Sequence, residues 1–403
     1  MAISIKKFKA NILTCAGACA LAALLAACGG GSHDDGHAPP PPPEPAQAGL
    51  RYDVIPLSLG GTGNGALVGR RGINGKGQVT GSTDAPDGRV HAFVYDGERM
   101  IDLGLMGGIQ SEGNAINELG HATGWVTLTY EDSAYRGFLY DGAVHDLGTL
   151  GGRQTFGLDI NDRTQITGDS TGTDGIRRAF LYQGGVMSPL PTPGVRSSGR
   201  VINENGTVAG HYDGPGGSVR SFIVDACRCP KDLGTLGGSQ TFVFAINDAG
   251  QVAGTSETAS GLRHAYRYEN GTITDLGTLG GDFSEALSIN ASGWVTGSAS
   301  TSTSQSHAFV HDGNAIRDLG TLGGESSAGN VINASGQVVG SSLTASGTSH
   351  AMSWTEAGGM VDLNKLLHTP PHGLVLTSAI TVSNNGSIVA QSNSGLVLMK
   401  PRK

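Results

Sequence analysis

Ser284-Glu-Ala-Leu-Ser-Ile-Asn290-Ala-Ser-Gly-Trp-Val-Thr-Gly-Ser298 leads through a Ser/Thr-rich stretch to His307-Ala-Phe-Val-His-Asp-Gly313 and then to Asp318-Leu-Gly-Thr-Leu-Gly-Gly324. This passage reads as four short strands. Ser284, Ala286 and Ile289 lie in the first, which ends at Asn290-Ala291-Ser292-Gly293, with Asn first and Gly fourth as a tight turn prefers. Trp294 to Ser298 is the second strand, His307 to His311 the third, and Asp312-Gly313 turns the chain into a fourth, Ala315 to Leu319. The glycine-rich end of the cassette carries the path into the next unit.

Working outward, the same cassette stands unaltered at Asp146 to Gly152, Asp232 to Gly238 and Asp275 to Gly281, with a looser copy at Asp102 to Gly108. Asparagine marks the phase at positions 74, 117, 161, 203, 247, 290, 333 and 384, in steps of 43, 44, 42, 44, 43, 43 and 51. A period near 43 residues is the length of a four-stranded propeller blade. The 51-residue step holds an inserted loop, Leu366 to Gly373, with Pro370-Pro371.

The first three strands of the unit occur eight times, the last set being Thr377 to Asn384, Ser387 to Gln391 and Gly395 to Met399, but the fourth strand follows only seven of them. The missing one is expected at the other end, at Tyr52 to Leu57, where an N-terminal strand would complete the last blade and close the ring. The expected fold is therefore all-β, a β-propeller of eight four-stranded blades closed by an N-terminal strand. Seven blades or a β-solenoid are the alternatives, although a solenoid has no use for the orphan strand.

Composition agrees with an all-β chain. Of 403 residues 66 are Gly, aromatics are 5% and charged residues 15%, too glycine-rich for helices. Formal charge is −8, and without Lys6, Lys7 and Lys9, which lie in an expected leader, it becomes −11. An acidic surface with no basic stripe argues against a nucleic-acid partner.

Residues 1–27 read as a lipoprotein signal peptide, with a basic start, an apolar run from Ile12 to Ala27, and Leu25-Ala26-Ala27-Cys28, which resembles a lipobox. That run of about 16 residues is short for a membrane span, which needs roughly 20. Cys28 is the expected lipidation site, its acyl chains anchoring the protein to the membrane, and Gly29 after it points to the outer membrane. Residues 28–50 form a Gly/Pro-rich tether in which His33 and His37 read as solvated linker residues. Residues 51–403 are the repeat domain.

A basic residue opens the third strand in seven units, and an Asp opens the following cassette in six. This yields six expected structural pairs: His91 with Asp102, Arg136 with Asp146, Arg220 with Asp232, His264 with Asp275, His307 with Asp318, and His350 with Asp362. The eighth unit lacks both partners, and Arg178, opposite Pro189, lacks its Asp. Six equivalent pairs fit a repeated hydrogen bond better than a catalytic centre, which needs one differentiated site. No catalytic, metal or cofactor residue stands out.

Gly61 to Ala66 imitates a dinucleotide fingerprint without a following helix, and Gly168-Asp169-Ser170-Thr171-Gly172 imitates a hydrolase elbow but aligns with second-strand ends elsewhere. The sequons at Asn205 and Asn290 read as turn chemistry. Cys15 and Cys19 fall in the leader, leaving Cys227 and Cys229 at a hairpin tip as a strained local disulfide, free thiols, or metal or redox ligands.

His-Ala-Phe at 91 and 307, its relatives at 264 and 350, the cassettes and the Ile-Asn-x-x-Gly turns resemble the HAF-repeat family of bacterial proteins. The resemblance covers residues 52 to 403. It implies a location outside the cytoplasm and brings no established activity. The expected function is that of an outer-membrane or cell-surface lipoprotein whose non-enzymatic propeller binds an envelope protein or glycan. A propeller enzyme acting on an extracellular glycan, or a purely structural role, are the alternatives.

Overall fold

Alternation of small or apolar residues with polar ones produces strands throughout. In the computed structural model the only helical turns among the described residues are Pro215–Gly217 and Leu363–Leu366. The structure describes residues 49–61, 66–131 and 133–402. The leader, Cys28, His33, His37 and the centre of the Gly61 to Ala66 motif lie outside them. No helix of the described residues is long and apolar enough to cross a membrane.

One unit shows how the sequence builds the sheet. Gly151–Ile160, Ile166–Gly172, Arg177–Gln183 and Val186–Pro189 pair antiparallel in chain order. The innermost strand carries a bulge opposite Thr167 and Gly168, which lets it bend into the turn at Asn161. Between neighbouring sheets the apolar faces meet. Ala253, Ala265 and Leu276 of one unit pack on Ala286, Ile289, Val295 and Phe309 of the next. The aromatic of the His-Ala-Phe strand is fully buried at Phe93, Phe180, Phe222, Tyr266 and Phe309, and its alanine at Ala92, Ala179, Ala265 and Ala308 lets the sheets approach. Each such ring contributes about 1.5–3 kcal/mol by leaving water.

The arrangement is an all-β propeller. Its hydrogen-bonded sheets, however, are not eight separate sets of four: three have four strands, one has three and two have eight. The large sheets arise where a single parallel pair bridges consecutive units, Tyr135 with Gln154 and Arg263 with Phe283. The three-stranded sheet arises because the inner strand before Ile73 is reduced to isolated bridges, Leu67 with Ser82 and Ile73 with Val79.

Tyr52–Pro56 pairs along its length with Gly395–Pro401, from Tyr52 opposite Pro401 to Pro56 opposite Val397. The N-terminal strand thus completes the sheet formed by the last three strands of the chain.

The phase markers have a physical role. Each asparagine takes the N–H groups of its own turn on Oδ1, as Asn290 does from Ser292 (3.0 Å) and Trp294 (2.9 Å). Its Nδ2 donates to the carbonyl at the same position of the next unit: Asn74 to Asn117 (2.8 Å), Asn117 to Asn161 (2.9 Å), and onward to Asn333. The final link runs from Asn333 to the Ser383 carbonyl at 3.1 Å. Ser383, rather than Asn384, therefore holds the marker position in the last unit. Asn384 instead accepts the Ala334 N–H at 3.0 Å.

Candidate functional site

Five of the six expected pairs form. Nδ1 of His91, His264, His307 and His350 lies 2.8 to 2.9 Å from a carboxylate oxygen of Asp102, Asp275, Asp318 and Asp362, and Arg220 Nη2 lies 2.7 Å from Asp232. Arg136 and Asp146 do not pair. They share the wall of a shallow cavity with Met106 and Val126, and among the described residues Asp146 keeps only its turn bond. That bond is the constant feature of the cassette: Asp102, Asp146, Asp232, Asp275 and Asp318 each accept the N–H of the glycine two residues on, at 2.7 to 3.0 Å. Those glycines sit at φ of 67 to 81°, which side-chain-bearing residues rarely adopt. The glycine carbonyl then accepts the hydroxyl of Ser111, Ser284 or Ser327, whose oxygen takes the N–H of Ala92, Ala265 or Ala308. The cassette is thus a hydrogen-bonded hinge between units.

The unmatched Arg178 finds a carboxylate within its own loop, gripping Asp174 with two bonds of 2.7 and 2.9 Å. That bidentate contact holds the Asp174 carboxyl far below its usual range. Ser170 of the elbow-like motif is fully buried in a strand and bonded to Thr155. Cys227 and Cys229 are both thiols, with no disulfide between them.

The residues that differ between units are on the innermost strands. Counting back from each marker, the fifth residue is Glu112, Phe156, Ser198, Phe242, Glu285, Ala328 or Ser378, all half-exposed. This is a differentiated constellation that strand patterning did not reveal. Its signal was present as a repeat position where the residue type changes from unit to unit.

Two mouths of the ring differ. On the side of the asparagine turns, Arg71 reaches past the neighbouring unit. Its Nε lies 2.7 Å from Asp159, two units on, and Nη2 donates to the Ile202 carbonyl in the unit after that, at 3.4 Å. Asp159 is fully buried and also accepts the N–H of Ile202 (2.8 Å) and Ile160 (2.9 Å). Burial outweighs these contacts and leaves its pKa raised. A cavity of about 260 Å³ lies here between Arg71, Glu204, Asp248 and the marker turns. Glu118, Asp162, Glu204 and Asp248 follow one another along the marker turns, the last two lining this cavity, but each accepts the backbone N–H of the preceding unit at 2.6 to 3.0 Å. Their charge is committed to joining units.

On the cassette side a cavity of about 410 Å³ is lined by Gln154, Arg177, Arg196, Ser198, His211 and Asp213, among others. Arg177 lies over the Phe156 ring at 5.3 Å, with Tyr135 and Trp125 against the same ring at 4.8 and 5.4 Å. A second guanidinium, Arg263, lies over Phe242 at 5.8 Å. Asp169, buried below, accepts the Ser198 hydroxyl at 2.7 Å and faces Arg177 Nε at 3.2 Å. Burial raises its pKa despite Arg177.

Ser198, His211 and Asp169 suggest a hydrolytic triad, but their order forbids one. The serine hydroxyl donates directly to the aspartate, whereas His211 Nε2 accepts the Val243 N–H at 2.8 Å and so has no free base for that proton. Burial, aided by Arg200, pushes the His211 pKa down to about 3, leaving a neutral ring. What the arrangement can do is hold an anion against arginine and a flat ring against an aromatic face.

No protein-family model and no curated protein matches the chain. Solved structures do. A structure from a study of two prolyl endopeptidases aligns with a TM-score of 0.50 and 9% identity over 85% of this chain and 54% of that one, so the chain spans about half its length. The β-propeller domain of the Trilobed protease from Pyrococcus furiosus, described as having an open velcro topology, gives 0.49 and 11% over 78% and 98%. TolB from Acinetobacter baumannii gives 0.38 and 15% over 81% and 80%. At such identities the likeness is one of fold alone, and the fold is the β-propeller.

Proposed function

We propose that the protein is a lipid-anchored envelope lipoprotein whose propeller, a ring of eight blades, binds an acidic glycan at its cassette-side mouth without cleaving it. The observation that carries this reading is a cavity of about 410 Å³ lined by Arg177 and Arg196, large enough for one or two sugar rings, whose Arg177 lies over the Phe156 ring and whose His211 meets the Phe242 ring edge-on. Carbohydrates stack their apolar faces on aromatic rings, and a uronic carboxylate suits a guanidinium fork. On a chain of net negative charge, arginines gathered at one mouth attract such a ligand locally. The eight marker positions, Asn74 to Ser383, support the blade count. The lipobox-like Leu25 to Cys28 and the HAF-repeat resemblance support the location.

Uronate-containing oligosaccharides are expected to be retained by the native protein and neutral ones not, with retention weakening as salt rises. Arg177→Ala and Phe156→Ala should each weaken binding about tenfold, the scale of a lost cation–π or stacking contact. Neutral sugars bound equally well, or variants that bind like the native chain, would remove the reading, and cleavage of the bound sugar would replace it by the enzymatic one. The anchor is tested separately: Cys28→Ala is expected to abolish incorporation of labelled fatty acid, and persisting label would refute it.

A further inference from the structure

We propose that Asp225, Cys227 and Cys229 form a surface site for a thiophilic divalent ion of the zinc class. Comparable hairpins have shorter tips, Asp96 to Arg99, Asp141 to Ala143 and Asp312 to Ala315, so nothing in the fold demands the five-residue tip Asp225-Ala-Cys-Arg-Cys229. Its backbone has a particular shape. Asp225 accepts the Cys227 N–H at 3.1 Å, and Arg228 adopts a left-handed φ of 57°, uncommon for a residue with a side chain.

That geometry gathers a carboxylate oxygen and the two Sγ atoms within 4.8 Å of one another. Cys227 Sγ lies 2.8 Å from Asp225 Oδ1, while Lys231 Nζ sits 3.8 Å from the other carboxylate oxygen and steadies it. Three donors so placed match three corners of a tetrahedron, with S and O ligands that suit zinc.

Both thiols are exposed, so an ion enters without moving the fold. Each thiol gives up its proton to solvent as its metal–sulfur bond forms. Asp225 and Cys229 also border a cavity of about 470 Å³ with Thr207, Tyr268 and Asn270, leaving room at the fourth position for water or a donor from a partner molecule. The site lies on the asparagine-turn side of the ring and does not depend on the glycan reading.

The test uses the full chain, reduced and freed of metal, titrated with cadmium as the spectroscopic probe and with zinc in competition. One cadmium per chain is expected, with a thiolate-to-metal absorption band that zinc displaces. Cys227→Ser or Cys229→Ser should weaken binding about 100-fold and abolish the two-thiolate band, and Asp225→Asn should weaken it about tenfold while keeping the band. Unchanged circular dichroism would show that the variants remain folded. A band that survives in the double serine variant, no band at equimolar cadmium, or cell-derived protein whose mass shows these two cysteines joined in a disulfide would each overturn the proposal.

Discussion

Arg71→Ala is expected to lower stability by about 2–4 kcal/mol, because it strands the buried Asp159 carboxylate without its counter-charge. A fully buried pair would cost about 3–5 kcal/mol when one partner is removed. The Arg71 side chain is 40% exposed, so water softens the loss. The pH dependence has a definite sign. Burial already raises the Asp159 pKa, and losing Arg71 raises it further. The folded state then holds the proton to higher pH than the unfolded chain does. Stability therefore falls as pH rises from the ordinary carboxylate value, about 4, through the raised folded one. The penalty of Arg71→Ala should be largest at neutral pH and shrink on acidification, as read by urea unfolding at several pH values. Asp159→Asn on the same background should recover part of the loss. A penalty that grows on acidification would contradict this account.

The second large effect concerns closure. Tyr52 is 1% exposed and packs among Leu363, Leu376, Val397 and Met399. Tyr52→Ala is expected to cost about 3–5 kcal/mol, as for other large aromatic truncations in cores. Deleting residues 50–57 should do more, because it leaves the edge of Gly395–Pro401 unpaired and uncovers the apolar faces of Val397 and Met399. Unpaired edges recruit other chains. The expected readout is a lowered urea midpoint for the point variant and self-association in sedimentation for the deletion. A monomeric deletion with the native midpoint would show that the last three strands need no partner.

The parts of this molecule legible in advance are those set by short-range chemistry. The Asp-Leu-Gly hinge is a bond between residues two apart, with a glycine at positive φ, and so recurs as a motif. The closing strand was found by counting. The pairs of a basic residue with Asp lie one hairpin apart, and five, four of them His–Asp and one Arg220–Asp232, could be placed from spacing alone. Arg136 stands ten residues before Asp146, where the pairs that form are 11 or 12 apart, and it stays unpaired although Asp146 keeps the same strand register, opposite Phe138, as Asp232 does opposite Phe222. The last marker was misplaced by one residue because Ser383 and Asn384 occupy one turn, and only the carbonyl that Asn333 reaches distinguishes them.

The candidate site was not legible. Phe156, Arg177, Ser198 and His211 come from four different strands of two units, and no local pattern marks them as neighbours. The same holds for Arg71 and Asp159, which meet only because the fold brings two non-adjacent units within reach of one side chain. By itself the sequence determined the repeat unit, its hinge and the strand that closes it, since these rest on turn geometry and alternation within a few residues. The tertiary structure alone decided which side chains face one another across the channel and what charge they carry there, because those contacts depend on closure of the ring and on burial, neither of which leaves a periodic trace in the chain.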